Sequence, residues 1–401
     1  MGPRQACGVA LAVALGLGGC GGQHHRTRTL PSSRHSRVDV YASLPLHGNR
    51  AVQADGVLNG IRLAYKQAHR RAGRWRVRLV VRDDSTPQSG GWDAGATAHN
   101  ARAAASDSNA VYYIGELDSA ASEISGPILN AAGIPQVSPL SSYDALTSGP
   151  LDRTGSPTFL RLAPSDSVQA GAQLEAAMRA RCNRVAVVHD GTLDGTGLAA
   201  QLLARHGQFG VQIGSERSLS AVVADLGAYI AAIKAHNDRC LIFAGSDSPS
   251  AVALFSNVAA AFPRLVRGIG SDGVCTEPFT GAIAGPAVPA FRCTSPAGDL
   301  RATSEGRAFL AAYSAAYHAV PDPLAVYGYE SMKLALDTIS GLGARGDDKG
   351  AVRDALFAVK DRHSAIGTYG FDREGDSTVG SYGLYHVGAG GLPAFVQELS
   401  P

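Results

Sequence analysis

From Val38 onward, short runs that are apolar on both faces alternate with stretches of helical periodicity. That alternation restricts the chain to parallel sheets built from α/β units. VDVYAS, RVRLVV, VYYIG and IPQVSP read as strands, with helices between them, among them 93–106 and 119–132. The first helix is expected to be capped by Asp55, ahead of Val57, Leu58, Ile61, Leu63 and Tyr65. A second series follows: helix 165–181, RVAVVHD, helix 194–207, VQIGSE, helix 225–236, CLIFAG, helix 248–262 and LVRGIG. Two series predict two doubly wound lobes. The remainder, 299–401, holds helical patterns at 304–319, 325–341 and 348–360, then short strands at TYGFD and GLYHVG. It has too poor a core for a third lobe, so the chain is expected to return and complete the first two.

Length and charge narrow the class. With 401 residues, 45% hydrophobic and 17% charged, the chain can bury two ordinary cores, which excludes global disorder. The balance of 36 basic and 34 acidic side chains gives a formal charge of +2 and no pull toward nucleic acid. At the N-terminus, Arg4 precedes an apolar run from Ala6 to Leu17, too short to span a bilayer. Leu17-Gly18-Gly19-Cys20 resembles a bacterial lipobox, which implies a signal peptide over 1–19 and a lipid on Cys20 that anchors the protein to a membrane. The alternative is an ordinary cleaved signal followed by a chance cysteine. Residues 20–37 have almost no apolar content and read as a flexible tether, in which His24 and His25 are solvated rather than metal-binding.

Cysteine usage suits an exported chain. Cys7 leaves with the signal, and Cys182, Cys240, Cys275 and Cys293 remain, for which three pairings are open. Cys182 and Cys240 each stand just before a predicted strand, so they can be neighbours at one sheet edge. Cys275 and Cys293 would close a loop of about 17 residues, worth ~3 kcal/mol. No Cys-x-x-Cys spacing supports a metal site.

In open α/β sheets, ligands bind beyond the carboxyl ends of the strands. The segments there are Gly115–Ser122, Ser138–Ser142, Gly191–Gly197, Ser246–Ser248 and Ser271–Gly273, all rich in Ser, Asp and Gly. Ser119 lies where free N–H groups at a helix start favour an anion. Each segment also has a structural reading: Asp118 or Ser119, Asp194 and Ser248 are placed to cap helices, and Asp272-Gly273 is a common turn. Taken together, hydroxyls, N–H groups and carboxylates suit a small zwitterion. An enzyme is disfavoured. No G-x-G-x-x-G begins directly after a predicted strand, and neither a P-loop nor a G-x-S-x-G elbow is present. No cofactor is expected.

At ADGVLNGIRLAYKQA, RLVVRDDSTP, YYIGELDSAASEISGPILNAAGIPQVSPLSSYDALT, RVAVVHDGTLDGTGLA and IGSDGV the chain resembles the type I periplasmic binding proteins of the branched-chain amino-acid family, which serve ABC importers. The resemblance implies two Rossmann-like doubly wound lobes joined by three crossovers near Phe159–Ala163, Thr294–Gly298 and Thr368–Phe371. Lobe one would hold 38–160 plus 298–368, and lobe two 161–297 plus 369–401. It further implies a non-enzymatic, extracytoplasmic lipoprotein that captures a small polar solute, an amino acid or amide, for an ABC permease. The same fold serves as a sensing or envelope-regulatory module, which is the alternative. Carried over by position, Ser119 and Ser142 hold the ligand's α-carboxylate, the backbone near Leu140 accepts its ammonium, and Asp272 pairs with that ammonium. Asp194 and Ser246 stand where amino-acid binders often carry aromatics, as does Gln53 near the first loop. These departures make the pocket more polar than one built for leucine, and Asp194 favours a polar or cationic side chain.

Overall fold

The computed structural model describes residues 37–149, 151–262 and 267–401. The signal peptide, Cys20 and the tether lie outside the described residues, apart from Arg37, which opens the first strand.

Lobe one begins β1 (Arg37–Leu44), α1 (Ala51–Gln67), β2 (Trp75–Asp83), α2 (Ala94–Ser106), β3 (Ala110–Ile114), α3 (Ser119–Ala131), β4 (Gln136–Ser138) and β5 (Phe159–Arg161). Its sheet runs β2-β1-β3-β4-β5, all parallel, with a two-residue antiparallel strand at 71–72 on the outer edge. Every residue of β1 after Arg37 is buried, as a strand covered by helices on both faces requires. Asp55 caps nothing: α1 starts four residues earlier, at Ala51, and Asp55 sits exposed within it. The earlier start brings Arg50 and Gln53 to the end of the helix that faces the cleft.

Lobe two is built from α4 (Asp166–Arg179), β6 (Arg184–His189), α5 (Leu193–Arg205), β7 (Gln212–Ser218), α6 (Leu226–His236), β8 (Cys240–Ala244), α7 (Pro249–Ala261), β9 (Arg267–Gly270) and β10 (Phe291–Ser295). The strand order is β7-β6-β8-β9-β10 in parallel. The chain then returns to lobe one as α8 (Ser304–Tyr317), α9 (Ala325–Gly341) and α10 (Lys349–Phe357), followed by a hairpin of 362–364 with 367–369. It ends in lobe two with β11 (Tyr382–Val387) and β12 (Pro393–Leu399), both added antiparallel beyond β10.

Helix α9 seats α1 at close range. A Cβ on Gly60 would stand 2.1 Å from the Ala325 carbonyl oxygen, and one on Gly328 would stand 2.0 Å from that of Val57. Only glycine permits this approach. It fixes the helix whose first turn carries Gln53 into the cleft.

The chain leaves the first sheet after Arg161 and the second after Ser295. The third crossover falls later than 368–371. Phe371 is fully buried in the lobe-one core, its ring edge-on to Tyr369 at 5.6 Å, and the chain joins the second sheet only at Tyr382. Burying that aromatic pair keeps the chain with lobe one for another turn. The link is then tied to the first crossover: buried Arg161 donates to Asp376 at 2.6 Å and to the Tyr143 carbonyl at 2.7 Å, and Ser377 donates to the Leu162 carbonyl at 2.8 Å.

Both cysteine pairs are bridged within lobe two, Cys182 to Cys240 and Cys275 to Cys293. Their sequence separations of 58 and 18 residues correspond to about 4 and about 3 kcal/mol of removed chain entropy. Unreduced protein starting at residue 37 is expected to show no reactive thiol in a thiol titration, and four after denaturation and reduction. The double variant Cys182→Ala/Cys240→Ala should lose more stability than Cys275→Ala/Cys293→Ala in denaturant unfolding.

Candidate functional site

The carboxyl ends of β1, β3, β4, β6, β8 and β9 face one another across the cleft between the lobes. Arg50, Leu117, Leu140, Ser142, Asp166, Gln169, Asp194, Ser246 and Asp272 line a cavity there of only about 20 Å³, room for about one water. The lobes are shut on each other. All six ligand-site residues expected from sequence, Ser119, Leu140, Ser142, Asp194, Ser246 and Asp272, lie at this cleft.

Ser119 opens α3 and is fully buried. Its backbone N–H donates to both carboxylate oxygens of Asp194, at 3.2 and 3.3 Å, and its hydroxyl donates to the same carboxylate. The hydroxyl oxygen in turn accepts from the Tyr143 N–H at 3.2 Å, which directs its hydrogen toward Asp194. Asp194 belongs to the opposite lobe, in the first turn of α5. It does not cap that helix, because Thr192 does, accepting from the Gly195 N–H at 3.0 Å. Nor does the Asp118 side chain cap α3; it pairs with Arg50 at 3.6 Å. Ser248 caps α7 through the Ala251 N–H, and Asp272 opens a short 3-10 turn.

Arg50 is the cation of the cleft. It follows β1, is almost wholly buried, and spans the lobes to donate to the Ser246 hydroxyl at 3.1 Å. A second bridge runs from the Gln53 side-chain amide to the Asp272 carbonyl at 3.0 Å. Asp272 is further held by the Gln169 amide, which donates to its carboxylate at 2.8 Å and to the Thr294 hydroxyl at 3.1 Å. Asp190 orders the lobe-two loops, accepting from the Thr192 N–H at 2.9 Å and the Ser246 N–H at 2.8 Å. Ser142 accepts the Asp166 N–H on its carbonyl at 2.8 Å, so α4 starts against the β4 loop. The Leu140 N–H is engaged by the Ser138 hydroxyl at 3.2 Å.

Arg50, Asp166, Gln169 and Asp190 are the residues at the cleft that sequence reasoning missed. For Arg50 a signal existed: the loop after the first strand, Leu46–Arg50, obeys the same carboxyl-end rule as the others. Asp166 and Gln169 read only as helix residues of α4.

The electrostatics of the cleft are acidic. Burial, then the nearby Asp118 charge, pushes the Asp194 carboxyl up to about 7, against the pull of Arg50 and Ser119. Burial raises Asp118, opposed by Arg50, and holds Asp166 well above the carboxylate range. Arg50 itself resists burial, but Asp118, Asp194, Asp272 and Asp190 more than restore its charge. Behind the cleft, burial pushes Asp322 up to about 7.

The chain belongs to the periplasmic binding protein family: the family model described as "Periplasmic binding protein" matches residues 42–391. Solved structures agree on the fold. A leucine-binding protein from Thermotoga maritima superposes with a TM-score of 0.77 at 22% identity, covering 91% of this chain and 99% of its own. A branched-chain amino-acid transporter substrate-binding protein from Streptococcus pneumoniae, in complex with isoleucine, gives 0.76 at 17% identity, covering 91% of this chain and 100% of its own. An ABC-transporter solute-binding protein from R. palustris, in complex with benzoate, gives 0.76 at 18% identity, with 91% and 97% covered. Among curated proteins, none matches the sequence.

Asp322 and Asp194 hold protons in the folded chain that the unfolded chain, titrating near 3.8, has lost. The folded state then binds more protons between about pH 4 and pH 7, so stability falls as pH rises through that window and is level above it. Relative to wild type, Asp322→Asn is expected to gain melting temperature from pH 5 to pH 8. Paired calorimetric scans check this, and an unchanged difference would contradict the assignment.

Proposed function

We propose that this protein is an extracytoplasmic solute-binding lipoprotein that captures a small polar nitrogenous ligand, an amino acid or amide, between its lobes and delivers it to an ABC permease. The observation that supports this most is the closed cleft itself. Polar side chains from both lobes meet there. Capture would proceed by hinge opening at the three crossovers, entry of the solute and reclosure. The ammonium partner is Asp272, braced by Gln169; Ser142, Ser246 and the backbone near Leu140 supply polar contacts. The role proposed is binding without catalysis, a reading supported by the family model and by structural neighbours that are solute-binding proteins. The membrane link is the lipid on Cys20, inferred from Leu17-Gly18-Gly19-Cys20.

Isothermal titration of refolded, ligand-stripped protein with amino acids, urea, short amides and amines is expected to give saturable micromolar or tighter binding of one compound. For that compound, Asp272→Ala should weaken binding by about 2–5 kcal/mol, the cost of truncating one side of a buried charged pair. An unchanged dissociation constant would remove Asp272 from the site. In cell fractionation, wild type should partition with detergent-extracted membranes and Cys20→Ser should not.

A further inference from the structure

Ser119 presents two donors, a backbone N–H and a hydroxyl, at the N-terminus of the 13-residue helix α3. Such a pair at a helix start is a seat for one carboxylate. In this molecule the seat is filled from within, by Asp194 of the opposite lobe, and both of its carboxylate oxygens are engaged by the Ser119 N–H. A solute bringing its own carboxylate would have to expel Asp194 and then lie beside it, two carboxyl groups in a closed cleft that cannot both ionise without cost.

The unpaired groups around the cleft point the same way. Asp166 Oδ2, Asp118 Oδ2 and Gln53 Oε1 are buried oxygens with no hydrogen-bond partner in the protein, on residues that are 1%, 6% and 2% exposed. Asp166 forms part of the cavity wall, Asp118 faces Arg50, and Gln53 bridges the cleft to Asp272. Against these three oxygens stands one unpaired donor of the cleft, Arg50 Nε, among the described residues. The cavity wall also carries three carboxyl side chains, Asp166, Asp194 and Asp272, against the single guanidinium of Arg50. What the cleft lacks is N–H donors and positive charge.

We propose that Asp194 supplies from within the chain the carboxylate that Ser119 holds, and that the cleft takes a cation without a carboxylate: an amine, a guanidine or an amino-acid amide. The inference rests on the reading of the cleft as the solute site and narrows it. The ligand's cationic nitrogen would lie among Asp166, Asp194 and Asp272, donating to the oxygens that the protein leaves unpaired. Asp194 thereby sets specificity while it clamps the lobes.

Matched pairs that differ only in the carboxylate test this: agmatine and arginine, putrescine and ornithine, cadaverine and lysine, leucinamide and leucine. Each is titrated calorimetrically into ligand-stripped wild type and Asp194→Ala, with circular-dichroism melts to verify folding. Asp194→Ser is used in its place if the alanine variant does not fold. Wild type is expected to bind the carboxylate-free member of at least one pair tenfold or more tighter than its partner. Removing Asp194 should cut that ratio at least tenfold by admitting the amino acid. Tighter binding of the amino acid to wild type would overturn the proposal and leave solute capture standing. A ratio unmoved by the Asp194 variants would also overturn it. No binding of any member to folded wild type would overturn both.

Discussion

Arg50 is a guanidinium held out of water between two halves of a molecule, and a buried charge of that kind persists only where opposite charges and hydrogen bonds replace its hydration. The arrangement of the cleft follows from this requirement. Asp118 answers Arg50 from its own lobe, and Ser246, positioned by Asp190, answers it from the other. Asp194 and Asp272 bring further negative charge across the gap. The carboxylates face the same problem in reverse: too few cations and donors reach them, and burial pushes Asp194, Asp118 and Asp166 upward. The closed cleft is an unbalanced charge cluster held together by one cation and by the hydrogen bonds of Ser119, Gln53 and Gln169.

That imbalance bears on motion. Separating the lobes breaks the Arg50–Ser246, Gln53–Asp272 and Ser119–Asp194 contacts together. It also returns each group to water, where charged groups are well solvated, so the electrostatic gain of closure over opening is the difference of two large quantities. A solute shifts such an equilibrium by the contacts it makes only in the closed form. Three segments link the lobes. There the Arg161–Asp376 ion pair and the Ser377–Leu162 hydrogen bond tie two of the three linking segments to each other.

Much of this was legible in the sequence because it depends on local pattern. Strands buried on both faces, such as β1, β3 and β8, leave unbroken apolar runs, and the helices between them follow from periodicity. Strand β12 escaped notice since it lies at a sheet edge and is mostly half-exposed, and β10 read only as a crossover. Asp55 misled because a carboxylate before an apolar stripe looks like a cap wherever it falls, whereas α1 begins without any side-chain cap. The third crossover depends on Phe371 finding Tyr369 in the lobe-one core, a tertiary fact. The site divided along the same line. Six residues were expected from their position after strands and lie at the cleft, but that Asp194 reaches Ser119, 75 residues away, is written in no local pattern.

The Asp194–Ser119 contact also shows how a site can change hands without a change of fold. A serine at a helix start accepts any carboxylate of suitable reach, and one carried on the facing helix competes with a dissolved one on unequal terms. Tethering holds it at an effective concentration on the order of millimolar or more. A free carboxylate wins the seat only if its remaining contacts repay both the displaced bond and the repulsion from the displaced group. On the proposed reading, one aspartate in the first turn of α5 would alter which solutes the cleft admits, with the two parallel sheets of the fold unchanged.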